Sequence, residues 1–263
     1  DVAPSRGLGD VYKRQESGGD PKAIPDLTYE MFLDFHKTYY HPSNSYIYLY
    51  GNMDMEEKLA FLDEHYLSHF DYLDVDSVIQ EQKAFGACRD VTLEYPVAEN
   101  EGEEDNTYLS YNMVVGNAAD SQMAMAFEVL DYALLSAPGA PLKQALLDVK
   151  AGKDVYGSYD DGILQPYFTV IAKGSNPDRK EEFVSVIRQV LGDIVKNGID
   201  KKAVEAGINY FEFRYREADF SSYPKGLMYS LDILGDWLYE KGNPFAQVQQ
   251  LTCLLYTSDA ADD

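Results

Sequence analysis

The sequence predicts an α+β fold. Three observations carry that expectation. Strand-like segments rich in β-branched and aromatic residues come in groups rather than alternating singly with helices. The helical stretches place apolar residues at a 3.6-residue period. Capping residues or Asn-Gly stops stand at the ends of several of them. The sheet is expected to be mixed or antiparallel and covered by helices.

The elements follow in order. Residues 16–27, "ESGGDPKAIPDL", read as a Gly/Pro-rich loop. Thr28 is placed to cap a helix from Tyr29 to Tyr40, with Glu30 in its first turn and Met31, Phe32, Phe35 and Tyr39 at helical spacing. "HPSNS" ends it, and "YIYLYG", Tyr46 to Gly51, reads as a strand. Asp54 caps a second helix reaching to about His69. Residues 71–90 have weak periodicity and read as a linker. A second block opens with the strand "VTLEYPV", Val91 to Val97, an acidic turn, and a long strand from Thr107 to Gly116. An amphipathic helix over 121–136 shows Met123, Phe127, Leu130 and Leu134 on one face. After "SAPGAP" comes a short helix, Leu142 to Val149, then strands Lys153 to Asp160 and Gln165 to Gly174. Helices over 178–197, 200–218 and about 223–240 complete the block, the first stopped by Asn197-Gly198.

The 263 residues carry a formal charge of −23, which excludes nucleic acid and anionic membrane surfaces as partners. The acidity suits basic ligands as well as plain solubility. No apolar run is long enough to span a bilayer, and no charged-then-apolar secretion signal opens the chain. The two ends fit neither block. Ser5–Gln15, "SRGLGDVYKRQ", and Cys253–Asp262, "CLLYTSDAAD", each back-translate in one frame into a transposase-type sequencing adapter. Residues 1–15 and 253–263 are therefore expected to be adapter-like artefacts, leaving 16–252 as the genuine chain, continued in its gene at both ends. Without Arg6, Lys13 and Arg14, and without Asp1, Asp10, Asp259, Asp262 and Asp263, the charge becomes −21. Cys88 is then the one genuine cysteine, and a free thiol in a reducing, cytoplasmic setting is expected.

No complete active site is legible. His65 and His69 stand four apart on a predicted helix, as a zinc pair would. Tyr66 and Ser68 occupy the places where H-E-x-x-H and H-x-x-E-H need glutamate. His36 and His41 straddle a helix end. No G-x-S-x-G occurs, and Ser158 lies inside a strand. Neither a catalytic residue nor a metal ligand is assigned.

Two stretches, "SGGDPKAIPDLTYEMFLDFHKTYYHPSNSYIYLYG" (Ser17 to Gly51) and "SAPGAPLKQALLDVKAGKDVYGSYDDGILQPYFTVIAKG" (Ser136 to Gly174), closely resemble the presequence-protease branch of the pitrilysin/insulysin zinc metallopeptidases. "AVEAGINYFEFRYRE" with "SYPKGL" supports the resemblance, which covers 16–252. It implies a metallopeptidase-like domain preceded by the tail end of a related domain: residues 16–70 as the end of a first, catalytic-type domain, 71–90 as linker, and 91–252 as a second, non-catalytic domain. In such enzymes the domains close around a chamber that degrades unfolded, presequence-like peptides. Zinc is held upstream of the "SGGDPK" loop by an inverted H-x-x-E-H helix and a later Glu. The resemblance thus implies zinc in the parent enzyme and none here, an inactive piece, and the rest of the same polypeptide as partner. The alternative is a non-catalytic scaffold or binding subunit of the same fold.

The resemblance also implies a ledge that takes the substrate's N-terminal stretch by strand addition. The matching positions are the turn near Gly139 and the strand Val155-Tyr156-Gly157-Ser158. Gly157 would let a peptide backbone approach, so Gly157→Val is expected to block substrate with little change in folding. The plainer alternative is a bulge at Gly157 and a turn at Gly139. The tail of the first domain is expected to look incomplete and to expose Phe32, Phe35 or Tyr46.

Overall fold

The computed structural model describes residues 23–98, 102–118, 120–217, 222–239 and 245. The terminal segments 1–15 and 253–263 lie outside them. The chain divides into two compact units, Asp1–Leu93 and Glu94–Asp263.

The first unit holds two helices. Thr28 accepts a hydrogen bond from Met31 N–H at 3.2 Å and starts α1, Tyr29–Tyr39. Asp54 does the same for Glu57 N–H at 3.0 Å and starts α2, Met55–His65. A turn of 3₁₀ helix, Pro42–Asn44, sits between them and another, Leu67–His69, follows α2. Ring contacts of Phe70 with His41 at 5.3 Å and Tyr66 at 5.2 Å gather this end of the unit. None of the described residues of this unit is buried. Phe32, Phe35 and Tyr46 are exposed at 63%, 58% and 45%. The apolar stripe of α1 thus faces no core within its own unit.

Two expected strands are corrected. Tyr46–Gly51 and Val91–Val97 have the composition of strands but run without regular secondary structure. A strand exists only as a member of a sheet. The sheet among the described residues has three strands, and neither segment belongs to it.

That sheet is the centre of the second unit. Its strands are β1 (Thr107–Val114), β2 (Asp154–Asp160) and β3 (Tyr167–Ser175), in the order β1-β3-β2, antiparallel throughout. Alternation gives the sheet two unlike faces. Leu109, Val155, Phe168, Val170 and Ala172 turn to one side and are buried there. They meet Leu134 and Leu135, Leu142 and Leu146, and Phe183 and Ile187, from three successive helical segments. The first is α3, Ser121–Asp131, which widens into a π-helical turn, Tyr132–Ser136. The next are α4, Pro141–Asp148, and α5, Lys180–Asn197. Two further helices, α6 (Lys201–Glu217) and α7 (Lys225–Tyr239), follow. Helix α6 joins α3 at Gly207, where a β-carbon would lie 3.2 Å from Val129, and Tyr132 stacks on Tyr210 at 4.9 Å. The helix predicted over 121–136 is thus an α-helix with a π-helical end. Of its expected apolar face Leu134 is buried, Phe127 and Leu130 pack against the core, and Met123 is exposed.

Candidate functional site

The sequence points to β2 and to the turn before α4. Ala140 N–H donates to Ala137 O at 3.0 Å, closing a turn with Pro138 second and Gly139 third. Gly139 has φ +73°, which a type II turn needs at that position. The turn connects the π-helical turn to α4, and both of those elements pack on β2.

Strand β2 ends the order β1-β3-β2, so among the described residues no strand lies along its outer side. In an antiparallel ladder alternate backbone groups point away from the paired neighbour. The Val155 N–H donates to Asp154 Oδ1 at 2.8 Å. Tyr156 and Ser158 stand on the exposed face of β2, and Val155 is fully buried on the other.

Gly157 lies on the buried-side register with Val155, opposite Val170. A β-carbon there would lie 2.3 Å from Leu135 Cδ1 and 2.5 Å from Thr169 O. The expectation that Gly157→Val leaves folding intact is therefore corrected. Glycine is required here because the π-helical turn presses on β2 at this point, and a valine has nowhere to go.

The opposite face of the sheet has a polar centre, where Thr169 is buried. Asn112 Oδ1 accepts hydrogen bonds from Thr169 Oγ1 at 2.6 Å and Ser110 Oγ at 3.0 Å, and the two hydroxyls lie 3.3 Å apart. Ser158 is the cross-strand neighbour of Thr169. At the end of β2, Tyr167 O–H donates to Asp160 Oδ2 at 2.8 Å. Burial first, and then the hydrogen bond and charge of Asp160, keep the Tyr167 hydroxyl protonated. Burial also raises Tyr159, seconded by the charges of Asp161, Glu128, Asp120 and Asp160. This end of β2 is therefore strongly negative and holds no ionised tyrosine.

The four histidines belong to the first unit. His65 is the last residue of α2 and packs on Phe61 at 4.5 Å, while His69 belongs to the following 3₁₀ turn. The continuous helix expected to carry both stops at His65, so the i, i+4 geometry is lost. Among the described residues no three His, Cys, Asp or Glu side chains come together as a metal site. The described residues do not fit a zinc ion. Cys88 is a free, exposed thiol.

Sequence reasoning passed over Asp131, which closes α3 beside Gly157. It falls at a core position of the stripe Phe127, Leu130, Asp131, Leu134, and a carboxylate in such a stripe is the signal that would have found it. The hydroxyl network of Ser110, Asn112 and Thr169 left no sequence signal, because it depends on strand register.

A three-stranded antiparallel sheet with α3, the π-helical turn, α4 and α5 packed on its apolar face defines an α+β domain. Residues 26–211 match the sequence profile of the peptidase M16 inactive domain, and the chain belongs to this family. It is 48% identical over 233 residues to "Protein HypA" of Clostridium perfringens, a match covering 89% of this chain and 24% of that protein. It is 35% identical to "Presequence protease 1, chloroplastic/mitochondrial" of Arabidopsis thaliana, covering 88% of this chain and 22% of that protein. The chain thus spans about a quarter of the length of these curated relatives. Among solved structures, the M16 inactive domain from Pseudomonas fluorescens superposes with a TM-score of 0.60 at 16% identity, covering 97% of this chain and 57% of that one. An M16-like peptidase from Alicyclobacillus acidocaldarius gives 0.57 at 17% identity, covering 96% and 60%. At such identities the likeness concerns the fold. No helix among the described residues is long and apolar enough to cross a membrane.

Proposed function

We propose that this chain is the non-catalytic wall of a zinc metalloendopeptidase that degrades unfolded, presequence-like peptides in a closed chamber. In this reading residues 16–70 end the catalytic-type domain, 71–90 link, and 91–252 form the second domain. The zinc and its ligands belong to the rest of the polypeptide, which is the chain's principal partner. The peptide is held along β2, beside the turn at Gly139, by backbone hydrogen bonds at Val155, Tyr156, Gly157 and Ser158. The observation that carries this is the place of β2 at the end of the sheet order, next to an acidic strand end. Net hydrogen-bond contributions of about 0.5–1.5 kcal/mol each make such a hold weak, as an anchor that must release product requires. Cytoplasmic residence is proposed from Cys88, a free, exposed thiol.

The test is titration of the chain with a basic peptide of about a dozen residues and with the same peptide N-methylated at alternate positions. Strand addition predicts that methylation abolishes binding whatever the side chains. Equal binding of both peptides would remove the edge reading and favour a scaffold that only assembles. An H-x-x-E-H motif upstream of Glu16 in the parent gene would separate protease from scaffold.

A further inference from the structure

We propose that Asp131 is a proton-operated latch that fastens the edge strand β2 to the π-helical turn, closed while its carboxyl carries a proton and loosened when it ionises. The latch does not depend on whether a peptide adds to β2.

Asp131 sits where α3 widens into the π-helical turn. Its Oδ1 is buried and has no hydrogen-bond partner among the described residues. Its carboxyl shares a hydrogen bond with Ser136, at the other end of the same turn. A β-carbon on Gly157 would lie 3.4 Å from Oδ1 and 2.5 Å from Thr169 O. The orphan oxygen therefore lies against Gly157 of β2. An ionised carboxylate offers only acceptors at this buried point. A neutral carboxyl costs far less to bury and carries a hydrogen to offer.

The surroundings give the charge no relief. From β2 the inward residues are Val155, Gly157 and Tyr159, whose hydroxyl stays protonated. From the π-helical turn come Leu135 and Ser136. From α6, Gly207 and Tyr210 stand against Val129 and Tyr132. On α3 itself Glu128 stands one turn earlier. No basic side chain pairs with Asp131 among the described residues, and burial, opposed only by the Ser136 hydrogen bond, pushes its carboxyl up. For a group so raised, the favourable contribution is complete below the unfolded value of 3.8 and is lost as pH rises through the folded value.

The test is hydrogen exchange of the full chain from pH 4 to 8, corrected for intrinsic rates and read on the peptide containing Asp154–Asp160. Wild-type protection is expected to fall with rising pH, about tenfold for each unit by which the carboxyl is raised. Asp131→Asn, which stays neutral, should flatten that dependence, and Ser136→Ala should move it to higher pH. Carbon NMR titration of the wild-type carboxyl gives a readout that needs no variant to fold. An Asp131 carboxyl titrating at the ordinary value, or identical pH dependence in wild type and Asp131→Asn, would overturn the latch.

Discussion

Gly157 of β2 and Leu135 of the π-helical turn touch so closely that a single β-carbon on the glycine would lie 2.3 Å from the leucine Cδ1. Neither residue can change alone. Gly157→Ala should destabilise the chain by about 1–3 kcal/mol through overpacking, and Gly157→Val by more. Leu135→Ala, which opens a cavity at a buried site, should cost about 2–5 kcal/mol. Combined, Gly157→Ala and Leu135→Ala should cost clearly less than their sum, because each relieves the other. Urea unfolding of the four proteins checks this, and strict additivity would mean the two residues do not meet.

Asp105 and Asn176 exchange two hydrogen bonds: Asp105 N–H to Asn176 Oδ1 at 2.9 Å and Asn176 Nδ2 to Asp105 Oδ1 at 2.8 Å. They tie the turn before β1 to the loop after β3. Asn176 first, and then Lys153 at 3.2 Å, hold the Asp105 carboxyl below its usual range. A depressed carboxyl contributes stability that is present above the unfolded value of 3.8 and is lost as pH falls below it. Asn176→Ala should therefore lower the melting temperature at neutral pH and shrink the difference from wild type below pH 3.8. A constant difference at all pH values would place the loss elsewhere.

Much of this architecture was legible in the sequence. Thr28 and Asp54 cap their helices as side-chain chemistry requires, β1 and β2 fall within the segments expected of them, and β3 overruns its segment by one residue, Ser175. Tyr46–Gly51 and Val91–Val97 misled because composition reports what would suit a strand, not whether a neighbour exists to pair with it. The π-helical turn was illegible because Leu134 and Leu135 keep an apolar stripe whether the last turn is α or π. At the candidate site the strand and both glycines were legible, but the reason for Gly157 was not. Its cause is a contact with a residue 22 positions away, which only the fold creates.

Residues 71–98 carry no helix or strand among those described, and none is buried. Limited trypsin digestion should cut first at Lys83 or Arg89, before Lys143 or Arg188 in the helical layer. First cuts within α4 or α5 would contradict the boundary.

The purified chain should not cleave a basic peptide when zinc is added, and His65→Ala should change nothing, since His65 and His69 lie on separate helical segments. Zinc-dependent cleavage lost in His65→Ala would show a site formed from these residues.

The proposed addition of an extended peptide along β2 has a direct test. The most direct measurement is residue-resolved hydrogen exchange of the chain with and without a saturating basic peptide. Strand addition predicts that alternate amides of Asp154–Asp160 slow on binding, while those of β1, the opposite edge, are unchanged. Protection confined to Thr107–Val114, or no change along β2 while the peptide is bound, would contradict it.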